Sequence, residues 1–469
     1  MPRTRTIPAS STTMGRSTTT TRTTATTGSG PLDGRRELLT GNGENGAPLY
    51  KEADTLPPNK LDGGEHRAVD DISPNGDMSV SEQSPFSHNI VSEFSSLYRA
   101  YRKTMLGKSE KAAAIRYNKD YIGNLFELSD KLRNRTFRMG PYNLFKVKEP
   151  KPRDVASIST EGKIGLHSLC DNFLEPLLCK GFIVDNYANQ KGKGLHFGLK
   201  RLEYFMRSYF FSLKARKENE CRELNVKMPL TKDYNYNEGW IIKGDITKYF
   251  YSINHGILLS MLYKKIASHE NKKDAAMAFW FSTHIIQSTP GEGIPIGNQT
   301  SQLFALLYLD GFDHYIKQDL KIKYYGRYMD DFYIIVETKQ EAKEVLKKLT
   351  EYLKSLELKL NKKTNIFPLS HGIDFLGFHT YITPTGKIIK KVRRKSKINM
   401  KRRLRLFVKL LEKGKITLEK IEECYKCWRA HVKHGNTYLL RQKLDEMFKK
   451  LFPLRKQKIN TRSRKWLNN

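Results

Sequence analysis

Cysteine is scarce in this chain, with five in 469 residues and those unevenly scattered. That pattern is not a disulfide framework, and it points to a reducing, cytoplasmic setting. Long apolar runs are missing as well, so no membrane partner is expected. Acidic side chains are in short supply beside basic ones, 49 against 83, for a formal net charge of +34. The imbalance is uneven: residues 1–90 hold 9 basic and 11 acidic side chains, so the segment nets −2 and the remainder carries +36. A body that basic repels itself unless it meets a polyanion, and nucleic acid is the usual one.

Residues 1–90 also lack apolar periodicity. The first thirty are dominated by Thr, Ser and Arg with no acid, and the rest are rich in Gly, Asp, Glu, Asn and Pro. Such a segment buries too little surface to offset its ordering entropy and reads as a disordered extension. Its acid-free start resembles a transit peptide but has no amphipathic apolar face. Met78 lies upstream of the first periodic segment as an alternative start. A dispensable extension or a misassigned start is the preferred reading.

From about Ile90 the pattern becomes globular. Helical spacing is read over 91–135, a strand over 142–147, and helices over 166–178 and 194–214. The charged stretch 215–238 reads as an inserted loop. A short strand follows over 240–243, then helices over 247–266 and 300–320, and a strand–turn–strand over 324–336. From about Lys390 the chain reads as helical and very basic. The fold class expected is α+β.

Two places concentrate carboxylates. Ile241-Ile242-Lys243-Gly244-Asp245 ends an apolar strand on an acid, and Tyr328-Met329-Asp330-Asp331 sits where a hairpin should turn. Adjacent aspartates flanked by apolar strands are costly unless a cation or solvent meets them. If both strands pair in one sheet, Asp245 and Asp330 come close enough to share two Mg2+ ions, one activating a hydroxyl and one holding a triphosphate.

These residues belong to a series of blocks that, in order, resembles the reverse transcriptases over about residues 96–445. Lys148-Glu149-Pro150-Lys151-Pro152-Arg153 resembles the fingers strand that meets the incoming nucleotide, with Lys151 and Arg153 at the matching positions. Asn186–Gly194, with Lys191 and Lys193, resembles a template-touching loop. The Asp245 segment, Gly293–Gln302 and Tyr328–Asp331 are similar to the first three palm motifs. Leu360–Thr364 resembles the fourth, and Phe375-Leu376-Gly377-Phe378 the primer-gripping fifth.

The resemblance implies a right-hand polymerase: fingers and palm over 91–385 and a helical basic thumb over 386–469. It implies a metal set of Asp245, Ile246, Asp330 and Asp331 holding two Mg2+, with Mn2+ as a substitute. Catalytic residues would be Asp245, Asp330, Asp331 and Lys363, the last protonating the departing pyrophosphate. The nucleotide would meet Lys151, Arg153, Phe250, Ile296, Gly297 and Gln302, with the Phe250 ring excluding a 2′-hydroxyl. Nucleic acid would meet Lys191, Lys193, Tyr328, Met329, Phe375, Leu376 and Gly377, and in the thumb Arg393, Arg394, Lys397 and Arg402. The basic run over 387–405, interleaved with apolar residues, suits a thumb that tracks duplex phosphates. Cys424, Cys427, His431 and His434 would lie along one helix, which closes poorly around zinc.

Most family members carry Gln-Gly-x-x-x-Ser-Pro in the second palm motif. Here Ile296 stands for the Gln and Gln302 for the Pro. That form resembles the enzymes of diversity-generating retroelements, which copy a template repeat with errors opposite adenine. Phage-defence reverse transcriptases, group II intron- or retron-derived ones, and an inactive nucleic-acid-binding scaffold stay open as alternatives. Expected partners are an RNA template, a DNA or RNA primer and deoxynucleoside triphosphates, with a small basic accessory protein left open.

Overall fold

The computed structural model describes residues 89–108, 110–147, 152–227, 238–289 and 291–453. The disorder expected before residue 89, and Lys151, lie outside the described residues. Three helices come first, α1 (Phe94–Met105), α2 (Ala112–Asn118) and α3 (Tyr121–Arg133), the last started by the Asp120 carboxylate accepting from the Gly123 N–H. The hairpin β1 (Asn143–Val147) and β2 (Arg153–Ser157) follows. Next, α4 (Thr160–Leu169) passes through a π-turn at Cys170–Leu174 into α5 (Glu175–Leu178), and α6 spans Leu195–Glu223. The expected loop over 215–238 is therefore helical at its start. Lys214 pairs with Glu218 one turn on, which favours a wound charged stretch, and Arg216 reaches Glu337 far along the chain.

The central sheet is antiparallel, in the order β4 (Tyr325–Tyr328), β5 (Asp331–Val336), β3 (Trp240–Asp245), β6 (Asn365–Pro368). Its connections carry α7 (His255–Ala267), α8 (Lys272–Gln287), α9 (Gln299–Tyr308), α10 (Asp310–His314) and α11 (Lys339–Ser355). Two expectations need correction. The helix read over 247–266 is a 3-10 turn at Tyr249–Ser252 followed by α7. The helix read over 300–320 breaks at Leu309 and ends in a π-turn, Tyr315–Asp319. Along α11, Ala342, Val345, Leu349 and Leu353 are buried at the 3- and 4-residue spacing of one helical face. Thr338 and Glu341 cap its start, the Thr338 hydroxyl accepting from the Glu341 N–H and the Glu341 carboxylate from the Glu337 N–H.

A second antiparallel sheet, β7 (Ile373–Phe375), β8 (Phe378–Ile382) and β9 (Ile388–Val392), leads into α12 (Arg394–Glu412), α13 (Leu418–Val432) and α14 (Tyr438–Leu451). The basic run over 387–405 thus begins as a strand paired to β8, and the helical part starts at Arg394 rather than at 386. Met400, Leu404, Phe407, Ile421, Tyr425 and Leu444 form the core of the three helices. Asp445 joins two of them by accepting from Tyr425 and Arg429. Among the described residues no helix is long and apolar enough to cross a membrane.

The short α10 is pinned at its ends. Asp310 pairs with Lys265 of α7 at 3.0 Å and with His314 at 3.4 Å, and His314 also reaches the Gly181 carbonyl at 3.0 Å. The hydrogen bond to Asp310 pushes the His314 imidazole up from 6.5 to about 8, with burial opposing it. A folded-state pKa above the unfolded one stabilises the protein fully below pH 6.5, and that contribution is lost as pH rises through about 8. Thermal melts across this window should therefore show a falling midpoint in the wild type. The His314→Gln variant should lack that part of the fall.

Candidate active site

Strand β3 is apolar on its buried residues Ile241 and Ile242 and ends on Asp245. Antiparallel register places Asp245 directly opposite Asp331, the first residue of β5. The hairpin from β4 to β5 pairs Tyr328 with Asp331, so Met329 and Asp330 alone make the turn. Met329 adopts φ +55°, a left-handed conformation that two-residue hairpins require and that side chains other than glycine resist. Asp330 is thereby presented at the end of the sheet, half-buried, beside Asp245. Burial and the Asp245 charge, with a hydrogen bond between the two carboxyls, raise the Asp330 pKa.

Asp245 is held from behind by the fourth motif. Its carbonyl accepts from the Asn361 N–H at 2.7 Å, Thr247 N–H donates to the Lys359 carbonyl, and the Thr364 hydroxyl lies 3.4 Å from the Asp245 amide. Lys363, in the same turn, is exposed. The Ile246 side chain is buried, so only its carbonyl is left as a metal donor.

The three aspartates differ in their surroundings. Asp331 forms an ion pair with Lys243, whose ammonium also lies 5.2 Å above the Phe375 ring. Burial draws the Lys243 pKa down to about 7, against the pull of Asp245. Among the described residues no three Asp, Glu, His or Cys side chains gather closely enough to hold an ion unaided. What remains is a two-carboxylate mouth of Asp245 and Asp330. Its mutual repulsion, visible in the raised Asp330, is what a cation relieves, and an all-oxygen donor set suits hard divalent ions. Asp245 and Asp330 would hold such ions, which when bound would supply a lowered pKa for an attacking hydroxyl and charge to steady a triphosphate. Further ligands would come from carbonyls, water and substrate.

A wall adjoins this mouth. The Ile294 N–H donates to the Phe250 carbonyl and the Ala156 N–H to the Ile296 carbonyl, both at 2.8 Å, so Phe250, Ile296 and β2 with its exposed Arg153 are laced together. Gly297 (φ +131°) touches β2 so closely that a Cβ would lie 2.5 Å from the Ala156 carbonyl oxygen. Phe250 and Ile296 are half-buried, and Gln302 is exposed on the first turn of α9.

Other expected contacts divide by exposure. Phe375 is fully buried against Tyr187 and Tyr333, so its ring packs the core and does not reach nucleic acid. The turn it starts, Leu376-Gly377, has φ +46° and +88° and is half-buried. Lys193, half-buried, points its ammonium at the Ile183 and Asn186 carbonyls. Lys191 is exposed and pairs with Glu175. Tyr328 and Met329 are half-buried, Arg394 and Arg402 are exposed, and Lys397 is half-buried. Arg393, also half-buried, pairs with Asp374.

Beneath the turn lie residues that the motif reading did not single out. Arg327 and Asp313 are both 0 % exposed and form an ion pair. Asp313 also accepts from the Tyr325 hydroxyl at 2.5 Å and the Asn186 amide at 3.4 Å. The third guanidinium nitrogen of Arg327 donates to the Met329 carbonyl at 2.9 Å. An Arg within an apolar hairpin strand, and a Lys two residues before Asp245, were the available signals.

A sheet that ends on carboxylates at a two-residue turn, with a glycine-bearing loop beside it, has the form expected of a nucleotidyl-transferring palm. The family model described as reverse transcriptase (RNA-dependent DNA polymerase) matches residues 196–380, which include every palm motif and stop before α12. Residues 196–380 therefore match a reverse transcriptase domain, within a fold of the α+β class. It is 27 % identical to Protein YkfC of Escherichia coli (strain K12) over 194 residues, 32 % of this chain and 49 % of that protein. Among solved structures it is similar to a telomerase from Candida albicans in complex with a TWJ fragment of telomeric RNA. There identity is 13 % and the TM-score 0.39, over 59 % of this chain and 52 % of that one. An apo telomerase from Candida tropicalis gives 12 % and 0.38, over 56 % and 53 %. The chain thus spans about half the length of the relatives it matches. A domain of this family depends generally on a divalent metal.

The contact at Gly297 is testable. Gly297→Ala would combine backbone strain with a methyl against β2 and should raise the nucleotide KM about tenfold, with template affinity unchanged. Gly291 has φ +77° with open space around it. In steady-state kinetics, Gly291→Ala should change KM far less.

Proposed function

We propose that this protein is an RNA-directed DNA polymerase that copies an RNA template into complementary DNA from a DNA or RNA primer, using two Mg2+ ions or Mn2+ in their place. The observation that carries this reading is the meeting of the Asp245 and Asp330 carboxyls at the end of the central sheet, Asp245 closing β3 and Asp330 standing in the turn before its register partner Asp331. An inactive scaffold has no use for two facing carboxylates that repel each other. Residues 91–385 would serve as fingers and palm, and the region from 386 as thumb. On α12, Arg394, Arg402 and Arg405 are exposed while Met400, Leu404 and Phe407 are buried, which suits phosphate tracking along a duplex. Arg153 and Lys151 would meet the triphosphate, Phe250 would exclude the 2′-hydroxyl, and Lys363 would supply a proton to the pyrophosphate. Asp331 would act through its charge beside the pair rather than as an equal ligand.

The chemistry predicts that Asp245→Asn or Asp330→Asn lowers primer extension on RNA by at least about a thousandfold, because chemistry needs charge at the metal. RNA binding in a filter assay should stay near wild type, since it rests on the basic surface. Extension by either variant at the wild-type rate would refute the placement of the site.

Ile296 bears on the biological role. A Gln at this position can hydrogen-bond at the nascent pair, whereas Ile offers shape alone. A lost hydrogen bond in a closed site costs on the order of 1–3 kcal/mol, roughly ten- to a hundredfold in discrimination. This supports a mutagenic, diversity-generating retroelement, although defence-associated enzymes share the motif form. Sequencing complementary DNA made from one defined RNA should show errors concentrated opposite adenine, and fewer of them with Ile296→Gln. Low, base-independent error in the wild type would instead favour a defence or intron-derived role.

A further inference from the structure

We propose that the buried Asp313–Arg327 pair is the positioning device of the catalytic turn, holding the Met329 carbonyl and so fixing Asp330 opposite Asp245. The inference rests on reading those two carboxylates as the metal-holding pair.

Burying an ion pair is seldom a route to stability, because desolvation offsets the attraction and an apolar pair of similar volume often serves as well. The geometry offers another reason for it. Arg327 uses Nε and Nη2 on Asp313, at 2.7 and 2.5 Å, which leaves Nη1 aimed at the Met329 carbonyl at 2.9 Å. Only a planar fork can serve both partners at once. The Arg327 main chain is clamped as well, its N–H donating to the Asp185 carbonyl and its carbonyl accepting from the Tyr187 N–H, both at 2.9 Å. Asp313 is held in turn by Tyr325 and Asn186.

Both the entry to the turn and its apex are thus tied to buried groups. Met329 needs such a tie, because a non-glycine residue at φ +55° persists only where its surroundings impose it. Asp330 follows Met329 directly, so release of that carbonyl frees Asp330 to rotate away from Asp245.

The test uses the full chain, with Mn2+ affinity read by electron paramagnetic resonance and Asp330→Asn as the blank. Arg327→Lys keeps a charge for Asp313 but cannot fork. It should melt near the wild-type temperature, bind Mn2+ about tenfold more weakly, and lose about tenfold in kcat with nucleotide KM unchanged. Wild-type Mn2+ affinity and kcat in folded Arg327→Lys would overturn the proposal. Should that variant unfold, Asp313→Leu combined with Arg327→Met leaves no uncompensated charge and decides by the same readings. Unfolding of this one too would make the pair a folding element and overturn the proposal. A wild-type protein that binds Mn2+ at the blanked site yet extends no primer would refute the polymerase reading alone, since Mn2+ affinity still reports on the turn.

Discussion

One fully buried carboxylate, Asp313, gathers donors from two parts of the chain: Arg327 and Tyr325 on β4, and Asn186 on the segment beside that strand. A charge with no solvent access is tolerable only if nearly every lone pair is met, and here it is met by groups that each position something else. Arg327 reaches the catalytic turn. Asn186 belongs to the block resembling a template loop, and its neighbour Tyr187 bonds to Tyr333 on β5. The ion pair is therefore a junction between helix α10, the edge strand and the turn. It costs desolvation and returns a fixed geometry.

The same economy separates the aspartates. Three carboxylates at one end of a sheet repel strongly, and Lys243 relieves part of that repulsion. Asp331 pairs with Lys243 from within the sheet. Asp245 and Asp330 still raise one another's cost of charge, with Lys243 offsetting only part of it, and a hard cation would complete the arrangement. Lys243 thus helps to define which carboxylates are available, even though it carries no chemistry in this account.

Much of this was legible in the sequence because the signals were local. Ile241-Ile242 before Asp245, and apolar runs on both sides of Met329-Asp330, announce strands of period two and a short turn. The pairing of β3 with β5 followed from burying both apolar runs in one sheet. Other features were hidden because their partners lie far away in sequence. The continuation of α6 through Ala215 carries a contact from Arg216 to the distant Glu337, whereas charged composition alone suggested a loop. Phe375 looked like a contact residue from its motif but is buried by Tyr187 and Tyr333, which only the tertiary structure brings together. Asp313 and Arg327 sit on different elements, and spacing does not show that they meet.

The central claim is that Asp245 and Asp330, with Asp331 set aside on Lys243, form the cation-holding mouth. Anomalous scattering from crystals grown with Mn2+ and a template–primer addresses it directly. The account predicts manganese peaks in contact with Asp245 and Asp330, with Asp331 still paired to Lys243 and the Met329 carbonyl still on Arg327. Manganese bound elsewhere, or held by Asp331 in place of Asp330, would contradict it.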